Sequence, residues 1–361
     1  MDNNLIYMPT FRLRQQEILV LNSFDFGNNI YPLLELVKEK DRKSNTRSYE
    51  EIYNTIIENV KSSSVFVDLP TYIEYSGSVN REIVEFGFKV INKLETRCDY
   101  LLKLRDKNKI IPVISSYIQK TGETNTIKKQ YDILNSSFKR KAFRVFTNSF
   151  NHDMDEVENL ITDNDYLILD LDKLSPFRTP QLRPIIDRLT SLNRGTKILL
   201  RSALSPDIEN VKLNNDEVII EADNSHIDVL NLEVFGVNCC GDYAGIKKDK
   251  MTAGGTVSPG FIYYDAVENQ YYGYKADFKA LDQFKDKIVP DVIASNATQR
   301  MLEAEPPYVG TDNPGYKTML DILAGTENGK SQAKFKKIAM DHYIYCIKKK
   351  IEINELKQVN I

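Results

Sequence analysis

The chain has 361 residues, 42% of them apolar, and a formal net charge of −3, with 48 Lys and Arg against 51 Asp and Glu. That is enough apolar matter for one large core or two modest ones, and so even a charge balance is no footprint of general nucleic-acid binding. No run of 18 apolar residues occurs, so no helical membrane span and no membrane partner are expected.

Eight short apolar runs follow one another at 5–10, 30–35, 64–68, 110–115, 142–147, 166–170, 197–201 and 235–242. Most end on a charged or hydroxyl residue. The first leads into Arg14-Gln-Gln-Glu17 and a short amphipathic helix. Before the third, Ser48-Tyr-Glu-Glu51 has the form of a capping box: the Ser48 hydroxyl accepts the amide of residue 51 and Glu51 reaches back. A long helix is predicted over 80–104 and others over 126–135, 151–161 and 180–193. The unit from 206 to 234 is ambiguous, because Glu217-Val-Ile-Ile-Glu221 also reads as a strand. The eighth strand is either that segment or the one near 235, and the latter is favoured. Beyond Asp242, a hairpin with its turn at 265–269 precedes helices at 276–288, 290–304 and 331–351. Asn313-Pro-Gly315 and 325–329 read as loops.

Runs such as Val65-Phe-Val67, Leu167-Ile-Leu169 and Ile198-Leu-Leu200 are apolar throughout, as strands buried on both faces must be. Eight such units predict a TIM-like (β/α)8 barrel over 1–245, with a hairpin-and-helix appendage over 246–361 packed on it. An open doubly wound sheet has the same local signature. The missing glycine-rich phosphate turn after strand one counts mildly against it.

A closed barrel gathers Glu35, Asp68, Thr147, Asp170, Arg201 and Asp242 at its C-terminal mouth, with Arg144 inside strand five. Carboxylates buried together need cationic partners. Either they hold a divalent cation, Mg2+ or Mn2+, while Arg144 and Arg201 receive a phosphate-like anion, or acids and arginines pair with each other. His152, His226 and His342 form no zinc motif. Gly254-Gly255 with Lys247, Lys248 and Lys250 would suit a phosphate, or are simply a solvated loop. The tyrosines at 263, 264, 271, 272 and 274 read as hairpin cross-strand pairs, in preference to a base-stacking platform. Cys98, Cys239, Cys240 and Cys346 show neither metal-ligand spacing nor a disulfide framework. The opening Met1-Asp-Asn-Asn lacks a signal-peptide pattern, so a cytoplasmic protein with reduced thiols is expected.

Several segments together resemble the beta protein family of bacteria and their phages. They are Tyr7-Met-Pro9 with Arg14-Gln-Gln-Glu17, Tyr31-Pro-Leu-Leu-Glu35, Gly241-Asp-Tyr243, Tyr272-Gly-Tyr-Lys275, Asn328-Gly-Lys-Ser331 and Ile338-Ala-Met-Asp-His-Tyr-Ile344. The sequence departs from the family pattern in having Phe335 where a tryptophan is usual, and one histidine where a pair is usual. The resemblance implies a phage-related or antiviral-defence setting and singles out Arg14, Glu17, Glu35, Asp242, Tyr243 and His342. Two functions are then expected. The favoured one is a non-catalytic recognition or scaffold subunit whose 246–330 segment contacts a phage or defence-system protein. The alternative is a barrel enzyme acting on a phosphorylated or nucleic-acid-derived substrate such as a nucleotide. In it Glu35, Asp68, Asp170, Asp242 and His342 are the catalytic candidates, and Arg14, Arg144, Arg201 and Tyr243 the binding ones.

Overall fold

The structure is a computed structural model that describes residues 4–39, 46–71, 80–175, 180–248 and 259–361. Its centre is a closed barrel of eight parallel strands. These are β1 (Tyr7–Arg12), β2 (Leu33–Glu35), β3 (Val65–Asp68), β4 (Ile110–Ser115), β5 (Ala142–Phe146), β6 (Tyr166–Asp170), β7 (Thr196–Leu200) and β8 (Cys239–Asp242). Neighbours in sequence are neighbours in the barrel, and β1 closes the cylinder by pairing with both β8 and β2. The TIM-like (β/α)8 expectation therefore holds. The eighth strand is the later of the two candidate segments, and Glu217–Val218 instead pairs antiparallel with the appended hairpin. That eighth strand starts later than its apolar run: Phe235 closes the helix Val229–Phe235, and Gly236 takes the left-handed cap at φ +65°.

Alternation sorts the barrel side chains into two cores. Met8, Leu33, Phe66, Ile111, Val113, Ala142, Tyr166, Ile168, Ile198, Leu200 and Cys239 fill the lumen. Their alternate neighbours, such as Tyr7, Phe11, Leu34, Val67, Leu199 and Cys240, face the surrounding helices. Among the helices, α1 (Gln15–Ser23) follows β1 and α2 (Tyr49–Asn59) carries the expected capping box, with Ser48 and Glu51 bonded in both directions. The long helix expected over 80–104 is two, α3 (Arg81–Ile91) and α4 (Leu94–Leu102). At the break the Asn92 side chain donates to the Phe88 carbonyl at 2.9 Å, ending the first helix.

In the appendage β9 (Gly260–Asp265) and β10 (Gln270–Lys275) form the hairpin, with Asp265 and Gln270 already paired, so its turn is one residue shorter than expected. A π-helical turn (Phe284–Ile288) and helices at Val289–Ile293, Asn296–Glu303, Pro314–Leu323 and Gln332–Glu352 complete it. The Pro314–Leu323 helix replaces an expected loop. Asn313 caps it by accepting the Tyr316 amide at 3.0 Å, and Pro314 takes the first turn, where its missing N–H costs nothing. Gly315 is required for packing: a Cβ there lies 2.5 Å from the Ile338 carbonyl and 2.6 Å from the His342 amide. Among the described residues no helix is long and apolar enough to cross a membrane.

Candidate functional site

At the C-terminal mouth, strand register decides which side chains converge. Arg12 is level with Glu35, Glu35 with Asp68, and Phe146 with Asp170. Arg144 sits on the inward face of β5. Its guanidinium donates to Asp68 Oδ2 at 2.7 Å and twice to Asp170 Oδ2, at 3.1 and 2.6 Å. It also lies 3.3 Å from the Tyr243 hydroxyl. Arg97, from α4, reaches under β3 and donates to Asp68 Oδ1 at 2.6 Å and to the Leu69 carbonyl at 2.9 Å. Arg12 donates to Glu35 Oε2 at 2.7 Å. The remaining Asp170 oxygen accepts the Asp172 amide at 2.8 Å.

Arg97 and Arg144 are both 0% exposed, so these pairs are desolvated and survive only because each charge meets several partners. Burial alone pushes the Glu35 carboxyl up. The Arg12 guanidinium, with Arg144 and Lys248, outweighs it and holds that carboxyl below its usual range. Asp170 follows the same pattern: burial raises it, and Arg144 and Lys248 bring it below the ordinary value. For Arg144 burial disfavours the charge, and Asp170, Tyr243 and Asp68 more than restore it.

Two expected members of this cluster face the other way. Leu200 and Gly241 occupy inward positions, so Arg201 and Asp242, one residue on, point outward. Arg201 donates to the Leu174 carbonyl at 2.7 Å and pairs with Asp223 at 3.1 Å, pinning two loops. Asp242 sits between barrel and appendage, accepting from Tyr7 at 2.6 Å and from Tyr343 at 2.5 Å, with His226 Nε2 at 3.3 Å. Tyr243 does reach the mouth, beneath Arg12 and Lys248. Arg14 stands at the start of α1 and lines a neighbouring hollow.

His342 does not join the rim cluster: it is buried in the appendage and stacked on Tyr263 at 4.5 Å. Its Nε2 lies 2.7 Å from the Tyr264 carbonyl, which can only accept, so Nε2 carries the proton and Nδ1 accepts from Asn313 at 2.9 Å. Burial pushes its pKa down to about 4. Cys346 Sγ is 3.8 Å from His342 Nε2, but burial drives that thiol far up, so the pair holds no thiolate nucleophile. Tyr263, Tyr264, Tyr271 and Tyr274 are buried in cross-strand pairs and packing, which removes them as a base-stacking platform.

The carboxylates do not fit a divalent metal. Both Asp68 oxygens face guanidinium groups, and those of Asp170 face Arg144 and a backbone amide. Among the described residues no group of three or more His, Cys, Asp and Glu is placed to hold one. Gly254, Gly255 and Lys250, the suggested phosphate cradle, lie outside the described residues. Above the ion-pair web lies a mouth pocket of about 540 Å3, lined among others by Ser116, Ser149, Thr147, Lys173 and Lys248. Beside it the Ser149 hydroxyl donates to buried Asp153 Oδ2 at 2.5 Å.

Sequence reasoning missed Arg12, Arg97, Tyr7 and Tyr343. Arg97 carried a signal: it interrupts the apolar face formed by Leu94, Cys98 and Leu101, where a charge survives only with a buried partner.

A family model described as Beta protein matches residues 7–347. No curated protein matches the chain.

Proposed function

The chain belongs to the Beta protein family, and from that premise we propose that it is a recognition or scaffold subunit of a phage-related or antiphage-defence system. It works in the cytoplasm, where its barrel serves as the scaffold and its 246–330 segment contacts a phage or partner protein. The observation that carries this reading is the closed state of the rim. Arg12, Arg97 and Arg144 are spent on Glu35, Asp68 and Asp170, and a carboxylate held below its usual range by a guanidinium is a poor general base at neutral pH. The four cysteines are free and buried, which suits a reducing compartment.

One feature favours the second reading, an enzyme acting on a phosphorylated or nucleotide-derived substrate. The mouth pocket sets Lys173 and Lys248 beside the hydroxyls of Ser116 and Ser149. Phage challenge separates the two. Plating efficiency is measured on cells carrying the wild type, Asp68→Asn or Asp170→Asn, with the folded amount of each protein measured in parallel. The scaffold reading expects protection to track the folded amount. Protection lost at an unchanged folded amount overturns it in favour of chemistry at the mouth, and a wild type that never protects removes the defence setting.

A further inference from the structure

We propose that the hollow between α1 and the long C-terminal helix binds a small organic anion bearing an N–H donor on a flat, largely apolar body, which is the chemistry of a nucleotide. The hollow measures about 650 Å3, within the size range of small-molecule sites. Its walls are the first turn of α1, the loop Gly245 to Lys248 after β8, the start of β9 and the first two turns of Gln332–Glu352. Two segments singled out in the sequence, Arg14-Gln-Gln-Glu17 and the stretch leading to His342, therefore meet here.

The walls are fixed before any ligand arrives. The Gln332 amide grips the Gly260 backbone on both sides, donating to its carbonyl at 2.9 Å and accepting its N–H at 3.3 Å. Gly260 itself fits only without a side chain, since a Cβ lies 2.6 Å from that of Asn210. Phe335 stacks on Phe284 at 4.2 Å and meets Phe261 edge-on at 5.3 Å, so the apolar wall is locked.

The chemistry comes from Glu17. It lines the hollow yet is 1% exposed. Its Oε1 accepts from Lys336 at 2.5 Å, while Oε2 has no hydrogen-bond partner among the described residues. A buried carboxylate oxygen with no donor is costly, and because Glu17 lines the hollow, a ligand N–H that its carboxylate turns to meet there would supply the missing donor. Around it, Arg14, Lys247, Lys248 and Lys336 outnumber the single carboxylate of Glu17 among the lining residues. Lys247 is anchored on the Ile208 carbonyl at 2.7 Å and Lys248 on Asp172 at 2.7 Å, so the positive field is held in place. An amine or amide edge of a base on Glu17, its face on Ile246, Phe261 and Phe335, and phosphate toward Lys247 and Lys248 match each wall in turn.

The test is calorimetry and thermal shift on the full chain with AMP, CMP, GMP and UMP, and with ribose 5-phosphate and inorganic phosphate as probes lacking a base. Binding by at least one nucleotide is expected, with both base-free probes at least about tenfold weaker and affinity falling as salt rises. Glu17→Gln should weaken the nucleotide by about tenfold or more, since one hydrogen bond to a charged group is worth that much. Ala333→Trp, on the exposed rim of the hollow, should block entry and leave the fold intact if Glu17→Gln does not accumulate. Absence of nucleotide binding at millimolar concentration overturns the proposal, and so does unchanged binding by the folded variants.

Discussion

Replacing Arg144 with Met puts the rim web to its hardest test. The guanidinium makes three hydrogen bonds to two carboxylates in a fully buried setting, and Met fills a similar length with no donor. Asp68 keeps Arg97, but Asp170 keeps only the Asp172 amide and the field of Lys248. Breaking one side of a buried pair costs about 3–5 kcal/mol because the stranded charge stays buried. The loss here should sit near the upper end, because two carboxylates lose a donor. Equilibrium urea unfolding at pH 7 reads it.

The pH dependence has a fixed sign. In the wild type the Asp170 carboxyl is held below its ordinary value, so its stabilisation is present above the unfolded-state pKa and is lost as pH falls through the lower folded value. In Arg144→Met burial is opposed only by Lys248 and the Asp172 amide, the carboxyl moves up from its wild-type value, and protonation relieves the strain as pH falls from 7 toward 5. The gap between the two proteins must therefore narrow on acidification. The double variant Arg144→Met/Asp170→Asn should cost about 1–3 kcal/mol less than the sum of its parts, as expected of residues in direct contact. A cost below about 1 kcal/mol that ignores pH, or strict additivity, refutes the claim that these charges sustain one another.

His342 should stay neutral through pH 5, visible as an imidazole that does not titrate near 6.5 by NMR, with Gln substitution giving the assignment. Its folded pKa of about 4 lies below the unfolded value, so stability is full well above pH 6.5 and falls by about 3 kcal/mol as pH drops to 4; a normal titration contradicts the claim that burial keeps this imidazole neutral. Gly245→Ala should cost at least about 2 kcal/mol by thermal or urea unfolding, because φ is +71° and a Cβ lies 2.2 Å from the Tyr343 ring. Gly27→Ala is the control, with φ +66° and nothing within 4 Å; equal losses at the two sites place the Gly245 effect in the backbone alone.

The barrel was legible because strands buried on both faces must be apolar throughout, and eight such runs with helical spacers leave few topologies. Their facing was not legible. A run such as Lys197-Ile-Leu-Leu-Arg201 does not say which parity enters the lumen, and here Leu200 does, which sends Arg201 outward. The same single step moved Asp242 out of the mouth and Tyr243 into it. Arg12 was missed because β1 runs two residues past its apolar core, to the register partner of Glu35. The Pro314–Leu323 helix was missed because Asn313-Pro-Gly315 looks like loop punctuation. In fact Asn caps, Pro starts and Gly admits the neighbouring helix.

Asp242 ties the barrel to the appendage. Barrel closure depends on β1 meeting β8, and at that seam Tyr7 from β1 and Tyr343 from the C-terminal helix converge on the carboxylate from β8. Burial and the Asp242 charge both raise the two phenols, so they remain proton donors to it at any physiological pH. About two turns earlier on that helix, Lys336 reaches Glu17 on α1, the helix that β1 leads into. The C-terminal helix therefore holds both the seam and α1, and Gly245 leaves the room for Tyr343 to approach. The hollow containing Glu17 is walled by α1, the loop after β8, β9 and this last helix, so it takes shape only when the barrel has closed and the last helix has docked. A ligand bound there is held by the closed barrel and the docked helix together, and by mass action it must stabilise both.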